Sequence, residues 1–187
     1  MSTNLFTGQL VRLAALNLET DTESFARWDR DSEYMRLLDS DAYRLLTAKQ
    51  IKEHIEKELT EEDTIQFTVR TLAEDQLIGF VALDGIRWSH GDAFAAIGIG
   101  NRAYWGQGYG TDAMRLLLRY AFSELNLHRV SLDVFDYNPR AIRSYEKAGF
   151  AVEGRQRQTL KRDGQYHDFV FMGVLRADWL ESMTDEQ

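Results

Sequence analysis

The hydrophobic positions of the chain fall into segments of changing period. Residues 9–16 alternate apolar and polar side chains as a first strand does. Residues 21–38 carry Phe25, Trp28, Met35 and Leu38 at helical spacing, enough for one or two short helices. Thr47-Ala48-Lys49-Gln50 is a capping box, in which the threonine and glutamine side chains satisfy free backbone N–H groups; Ile51, Ile55 and Leu59 follow as an apolar stripe, and an amphipathic helix is predicted. Two β-rich runs, residues 65–71 and 77–83, surround Ala73-Glu74-Asp75-Gln76 as an antiparallel hairpin. Residues 93–99 are apolar throughout, the pattern of a strand buried on both faces. That run ends at Gly98 and Gly100, where a strand can bulge or let a ligand approach its backbone.

In the second half, Met114, Leu117, Leu118, Ala121 and Leu125 trace a helical face of about four turns from Thr111 onward. Val130, Leu132 and Val134 alternate as a strand. Asn138 then suits a helix cap, Pro139 the first helical position, and Gly149 the position just past the end. Residues 150–160 and 165–175 form the last two strands around Arg162-Asp163-Gly164, whose Asp-Gly step signals a hairpin. The predicted fold is α/β (α+β): one domain over residues 1–187, with a mixed, mostly antiparallel sheet of about seven strands flanked by helices. Antiparallel pairs lie at both ends and one strand-helix-strand crossover lies between them.

Composition narrows the function. A chain of 187 residues that is 44% hydrophobic can bury one continuous core. With no cysteine, disulfides, thiolate metal sites and a cysteine nucleophile are excluded. His54, His90, His128 and His167 are scattered without metal spacing, so no metal is expected. The N-terminus lacks a basic region followed by an apolar run, and no segment approaches the roughly 18 apolar residues of a membrane span. The expectation is a soluble, unprocessed, cytoplasmic protein that does not engage membranes. A net charge of -8 argues against nucleic-acid binding. Residues 1–92 hold 10 Lys+Arg against 18 Asp+Glu and residues 93–187 hold 12 against 12, so all of the excess lies in the first half. That asymmetry suits two binding roles, with a cationic partner at the acidic half; an acidic solubilising surface is equally consistent.

One constellation carries chemistry. The turn Trp105-Gly106-Gln107-Gly108-Tyr109-Gly110 stands between a predicted strand and a predicted helix, and free N–H groups and the dipole at a helix N-terminus favour an anion. It lacks the Gly-Lys-Ser/Thr ending of a P-loop and the Gly-x-Gly-x-x-Gly spacing of a dinucleotide loop, so a different pyrophosphate is implied. A plain tight loop explains a lone glycine cluster equally well. Some thirty residues on, Ala141, Ile142, Tyr145 and Ala148 fall on or near one helical face, which turns Tyr145 inward with a hydroxyl that needs a partner. A simple core aromatic is the alternative for this residue.

Together these residues resemble the GNAT superfamily of N-acetyltransferases, in its branch of ribosomal-protein N-terminal (Rim-type) and spermidine acetyltransferases. Members carry Arg/Gln-Gly-x-Gly-x-Gly/Ala on the turn and Asn-x-x-Ala-x-x-x-Tyr-x-x-x-Gly-Phe after it. Here the second pattern is Asn138, Ala141, Tyr145, Gly149 and Phe150, matched throughout. Val152-Glu153-Gly154 and Asp163-Gly164-Gln165-Tyr166 also look like this branch, so the resemblance is clear over residues 93–175 and topological before them. It implies an acetyl-CoA-binding half at about 93–175 and an acceptor-side half at about 1–92. The backbone of Ile97, Gly98 and Ile99 would pair with the pantetheine arm where two strands splay apart. N–H groups of Gly106, Gln107, Gly108, Tyr109, Gly110 and Thr111 would hold the pyrophosphate, Asn138 would contact the cofactor, and Tyr145 would protonate the departing thiolate. Gly98 to Ile99 would also supply N–H donors for the oxyanion.

Two departures qualify the resemblance. Trp105 replaces the usual Arg or Gln, which a turn acting through its backbone tolerates without using that side chain. Ala96 stands where relatives often place a glutamate, so the base is left to Asp84, His90, Asp133, Asp136 or an ordered water chain. Arg140 and Arg143 are candidates for a cofactor phosphate, and Trp28, Trp88 and Tyr43 for an aromatic wall around a cationic amine. The expected activity is direct acetyl transfer to a primary amine, a protein N-terminus or a polyamine, with a homodimer compatible. The competing readings are an inactive acyl-CoA sensor or scaffold and an interaction protein using its acidic face.

Overall fold

Side-chain caps set the helix boundaries in the computed structural model, which describes residues 4–185. Asn17 accepts from the N–H groups of Glu19 and Thr20 and starts α1 (Leu18–Asp29). Asp31 then accepts from Glu33 and Tyr34 and starts a separate α2 (Ser32–Leu38), so residues 21–38 form two helices with two caps. Both halves of the Thr47–Gln50 capping box open α3 (Ala48–Glu58), whose Ile51 and Ile55 pack on Ala26. β1 (Val11–Ala14) is shorter than predicted because the N–H groups of Gln9, Leu10 and Val11 donate to the Asp112 carboxylate, at 2.7 Å for Leu10, instead of joining a ladder.

The remaining strands are β2 (Ile65–Thr71), β3 (Leu77–Arg87), β4 (Asp92–Ile99), β5 (Arg129–Phe135), β6 (Ala151–Arg162) and β7 (Gln165–Leu175). They form one seven-stranded sheet in the order β1-β2-β3-β4-β5-β7-β6. Every pairing is antiparallel except β4 with β5, which α4 (Tyr109–Ser123) connects. This is the predicted mixed sheet with one crossover. Ala113, Met114, Leu117, Leu118 and Ala121 of α4 bury against Ile78, Val81, Val130 and Leu132 of the sheet in the main core. α5 (Pro139–Ala148) and α6 (Arg176–Asp185) complete the described chain. No helix was expected at α6, because it has no continuous apolar stripe; its Trp179 packs on Phe122, with ring centroids 5.4 Å apart.

β4 and β5 pair only at Asp92↔Arg129, Ala93↔Val130 and Phe94↔Ser131. Beyond that point β4 stays bonded to β3 as far as Ile99↔Gly79, and β5 stays bonded to β7 as far as Phe135↔Phe169. Each strand follows its outer neighbour, so the two part and open a gap in mid-sheet. The run 93–99 is not buried on both faces. Ala93 and Gly98 are its only buried residues, and Phe94 is 50% exposed.

Candidate active site

The glycine turn sits at the mouth of this gap. Gly106 has φ 72° and Gly108 φ 92°, backbone that side-chain-bearing residues adopt only with strain. Gly108 caps α4 without any side-chain hydrogen bond, which leaves the N–H groups of the first helical turn unpaired by a cap. A cavity of about 620 Å³ runs from this turn through the gap and is lined by Ile97, Gly98, Ile99, Trp105, Gly106, Gly108, Gly110, Thr111, Asn138 and Tyr145. Most of the predicted positions are thus brought together. Two side chains are not: Gln107 donates its amide to the Ala103 carbonyl, and Tyr109 packs edge-on against Tyr104 at 4.8 Å, so only their backbone can serve the turn.

The phase of β4 decides which of its backbone groups face the gap. Gly100 N–H donates to the Ile78 carbonyl at 2.9 Å, and antiparallel pairing makes such bonds at alternate residues. Gly98 and Ala96 therefore bond to β3, while Ile97 and Ile99 turn their backbone groups toward the gap. The Ile99 carbonyl accepts the Trp105 indole N–H at 2.5 Å. Gly98 N–H is accordingly not available as an oxyanion donor; those of Ile97 and Ile99 are. The glycines themselves answer to the aromatic residues of α1, α2 and β3. A methyl on Gly98 would collide with the Tyr34 hydroxyl and the Phe80 ring, and one on Gly100 with the Trp28 ring. No bulge occurs there.

Charge separates this cavity from the rest of an acidic chain. Arg115, Arg140, Arg143 and Lys147 line it, and the only carboxylate among the described residues that line it, Asp112, is already occupied by N–H groups of the N-terminal segment. The Arg140 guanidinium lies 3.8 Å from the centre of the Trp105 ring, with Arg102 at 5.3 Å. Burial lowers the Arg140 pKa, yet a guanidinium stays charged. Trp105 is therefore not a passive replacement: its side chain lines the cavity and holds a cation over it.

Asn138 accepts from the Ala141 N–H at 3.2 Å, Pro139 opens α5 and Gly149 ends it, as predicted. That helix brings Tyr145 to the cavity, and Ser144 beside it bonds the Thr111 hydroxyl at 2.8 Å, tying α5 to α4. The Tyr145 hydroxyl makes no hydrogen bond among the described residues. Burial, and then the nearby Asp133 carboxylate, push its pKa above the ordinary phenol value, so it carries its proton at neutral pH.

A second cavity of about 290 Å³ adjoins the first, and Tyr34 and Leu38 line both. Asp29, Asp39, Glu58 and Asp84 line it together with Trp28, Phe25, Phe80 and His54. Burial, reinforced by the charges of Glu58, Asp63 and Glu61, lifts Asp84 to a pKa of about 6. Of the candidate bases, only Asp84 lines either cavity. Asp136 pairs with His167 at 3.2 Å, His90 sits in the β3–β4 turn, and Asp133 lies outside both linings. Trp28 belongs to the wall; Trp88 is 56% exposed elsewhere, and Tyr43 donates its hydroxyl to the Asp29 carbonyl. Sequence reasoning missed Tyr34, Arg115, Ser144 and Lys147. Tyr34, Leu37 and Leu38 do stand at i, i+3, i+4 behind the Asp31 cap, a stripe overlooked in favour of Met35 and Leu38. Among the described residues no group of His, Asp and Glu side chains is placed to hold a metal, and no helix is long and apolar enough to cross a membrane.

A sheet that parts at its parallel pair over a glycine turn, with a helical tyrosine beside the gap, is the architecture of an N-acetyltransferase. The acetyltransferase (GNAT) domain family matches residues 11–151, and the chain belongs to that family. Its relatives include the probable N-acetyltransferase YjcK of Bacillus subtilis, 37% identical over 70% of this chain and 71% of that one. The spermidine N(1)-acetyltransferase of Escherichia coli K12 is 28% identical over 91% and 88% of the two chains. Among solved structures, spermidine N-acetyltransferase from Vibrio cholerae in complex with CoA and spermine superposes with a TM-score of 0.81, at 26% identity over 91% of this chain and 98% of that one.

Proposed function

We propose that this N-acetyltransferase moves the acetyl group of acetyl-CoA to a cationic primary amine within a ternary complex. The observation that carries the proposal is the pair of joined cavities of opposite charge, one basic around the glycine turn and one acidic beneath α2. The residues present fit CoA: the backbone groups of Ile97 and the N–H of Ile99 face the gap, no described residue accepts the N–H groups from Gly106 to Thr111, and Arg115, Arg140, Arg143 and Lys147 suit its phosphates. A basic cavity in a chain of net charge -8 has a specific anion to hold. The solved Vibrio cholerae relative is a complex with CoA and spermine, which supports a CoA donor and a cationic amine acceptor.

When bound, the thioester supplies an acetyl group activated for attack by nitrogen. Asp29, Asp39, Glu58 and Asp84 draw in the ammonium form of the acceptor, and Trp28 and Phe80 wall its path. The N–H of Ile97 or Ile99 faces the developing oxyanion. As the nitrogen lone pair forms the N–C bond and the C–S bond breaks, Tyr145 gives its hydroxyl proton to the sulfur. The ammonium first loses one proton to solvent, which frees the lone pair for attack, and the nitrogen loses its second proton after attack, which restores Tyr145. One ammonium and one thioester thus yield one amide, one thiol and one proton. Holding both substrates in line supplies much of the rate, and no covalent enzyme intermediate is needed.

Calorimetry with acetyl-CoA, followed by turnover against polyamines, N-terminal peptides, aminoglycosides and amino acids, tests the reading. Cationic amines are expected to be preferred. Tyr145→Phe is expected to slow turnover about 100-fold or more while leaving acetyl-CoA affinity within twofold. Binding without acetylation of any amine would favour an acyl-CoA sensor instead, and equal use of anionic and cationic acceptors would remove the role of the acidic cavity.

A further inference from the structure

Tyr34 belongs to both cavities. It is 6% exposed, and its hydroxyl stands directly over Gly98, at the level where the gap and the acidic cavity meet. The residue is buried, but its hydroxyl opens onto the cavity instead of being sealed among protein groups. It makes no hydrogen bond among the described residues. Burial, and then the charge of Asp29, keep its proton firmly in place, so it is a neutral group that can accept as well as donate.

The helix that carries it is held from several sides. A two-turn helix has little stability of its own, so its orientation comes from outside contacts. Arg102, from the short 3-10 turn Arg102–Tyr104, pairs with Asp31 at the cap and with Glu33. At the other end the Tyr137 hydroxyl donates to the Arg36 carbonyl at 2.8 Å, while the β6–β7 hairpin contributes Asp163 to Arg36 at 2.5 Å and Arg162 to the Asp39 carbonyl at 2.7 Å. Contacts from three separate parts of the chain thus fix a helix whose inward tyrosine has no protein partner. Its hydroxyl is therefore held in place and free to meet a group that arrives with substrate.

We propose that Tyr34 is a catalytic residue on the acceptor side: its hydroxyl oxygen accepts an N–H of the amine where the two cavities join and aims the nitrogen lone pair at the thioester carbon. The inference rests on the acyl-transfer reading above. Tyr34 exchanges no proton; Tyr145 supplies the one that sulfur receives, so the two tyrosines have separate tasks across the same strand. The amine is favoured over the carbonyl oxygen as partner because Tyr34 reaches Gly98 from the acidic cavity, the side on which cations collect.

Tyr34→Phe keeps the ring and removes only the oxygen. The expected result is a fall of about tenfold in kcat/KM for the amine, with acetyl-CoA Kd within twofold, the thermal midpoint nearly unchanged, and the pH dependence of kcat retained. Gly98→Ala is the second variant. Its methyl displaces the same hydroxyl and also presses on the Phe80 ring, so a loss in kcat/KM for the amine at least as large as that of Tyr34→Phe is expected. Wild-type kcat/KM in Tyr34→Phe would overturn the assignment, as would a loss of acetyl-CoA affinity matching the loss in kcat/KM. A wild-type protein that binds acetyl-CoA but acetylates no amine would overturn the function itself along with Tyr34's part in it. Activity in the wild type with an unaffected Tyr34→Phe variant would overturn Tyr34 alone.

Discussion

Replacing Asp84 with asparagine is expected to stabilise the empty protein above pH 6 and to weaken its hold on cationic amines. Burial, then the charges of Glu58, Asp63 and Glu61, raise the carboxyl from its ordinary 3.8 to about 6. At about 1.4 kcal/mol per pKa unit, a shift of about two units has an upper bound of about 3 kcal/mol. Asp84 is only half-buried, and solvent screening reduces this to about 1 kcal/mol. The sign follows from linkage: with the folded pKa above the unfolded one, the contribution of Asp84 is full below about pH 4 and is lost as pH rises through about 6. Asp84→Asn does not titrate. Urea unfolding of both proteins between pH 4 and pH 8 should therefore show the variant gaining about 1 kcal/mol on the wild type between about pH 4 and pH 6, and holding that gain above. In the same variant, KM for a cationic amine at pH 8 should rise several-fold while acetyl-CoA Kd stays put. A stability difference that is flat with pH, or a wild type that gains on the variant over that window, would refute the reasoning.

Other expectations follow from the cofactor side. Arg140→Ala should weaken CoA binding about tenfold by calorimetry, and Trp105→Leu should weaken it less, because it removes the platform and leaves the cation. Gly108→Ala, at φ 92°, should cost about 1–2 kcal/mol of stability and weaken CoA binding. Gly110→Ala should be tolerated, since its nearest neighbours would lie 3.7 Å from the new methyl; thermal melts and CoA titrations of the two variants separate the cases.

Local chemistry made much of this fold legible. Thr47–Gln50, Asn138, Pro139 and Gly149 act through their own backbone neighbours, and each ends up where its residue type predicted. The turn and Tyr145 were legible for the same reason, as a short motif. What escaped was decided by distant contacts. β1 begins at Val11 because Asp112, about a hundred positions away, takes the preceding N–H groups. An apolar run suggests that 93–99 is buried on both faces, but only Ala93 and Gly98 are buried, and Phe94 is half-exposed even where β4 pairs with β5. Gly98 and Gly100 suggest a bulge or an approaching ligand, but no bulge occurs, and the groups that approach them, Tyr34 and Trp28, lie in another part of the chain. The charge asymmetry between the halves foreshadowed two sites, although no spacing rule places Asp29, Glu58 and Asp84 around one cavity. A turn that acts through its backbone gives the Trp105 side chain no part, and only the fold brings Arg140 onto its ring.

The central claim is the joint action of the basic and acidic cavities in acetyl transfer. Its most direct measurement is the release of free CoA thiol from acetyl-CoA by the purified protein, with and without spermidine, alongside mass spectrometry of the amine. The expected result is thiol release only when the amine is present, one thiol for each acetyl group gained, with Tyr145→Phe greatly slowed. Thiol release that ignores the amine, or no release with any cationic amine despite bound acetyl-CoA, would contradict it.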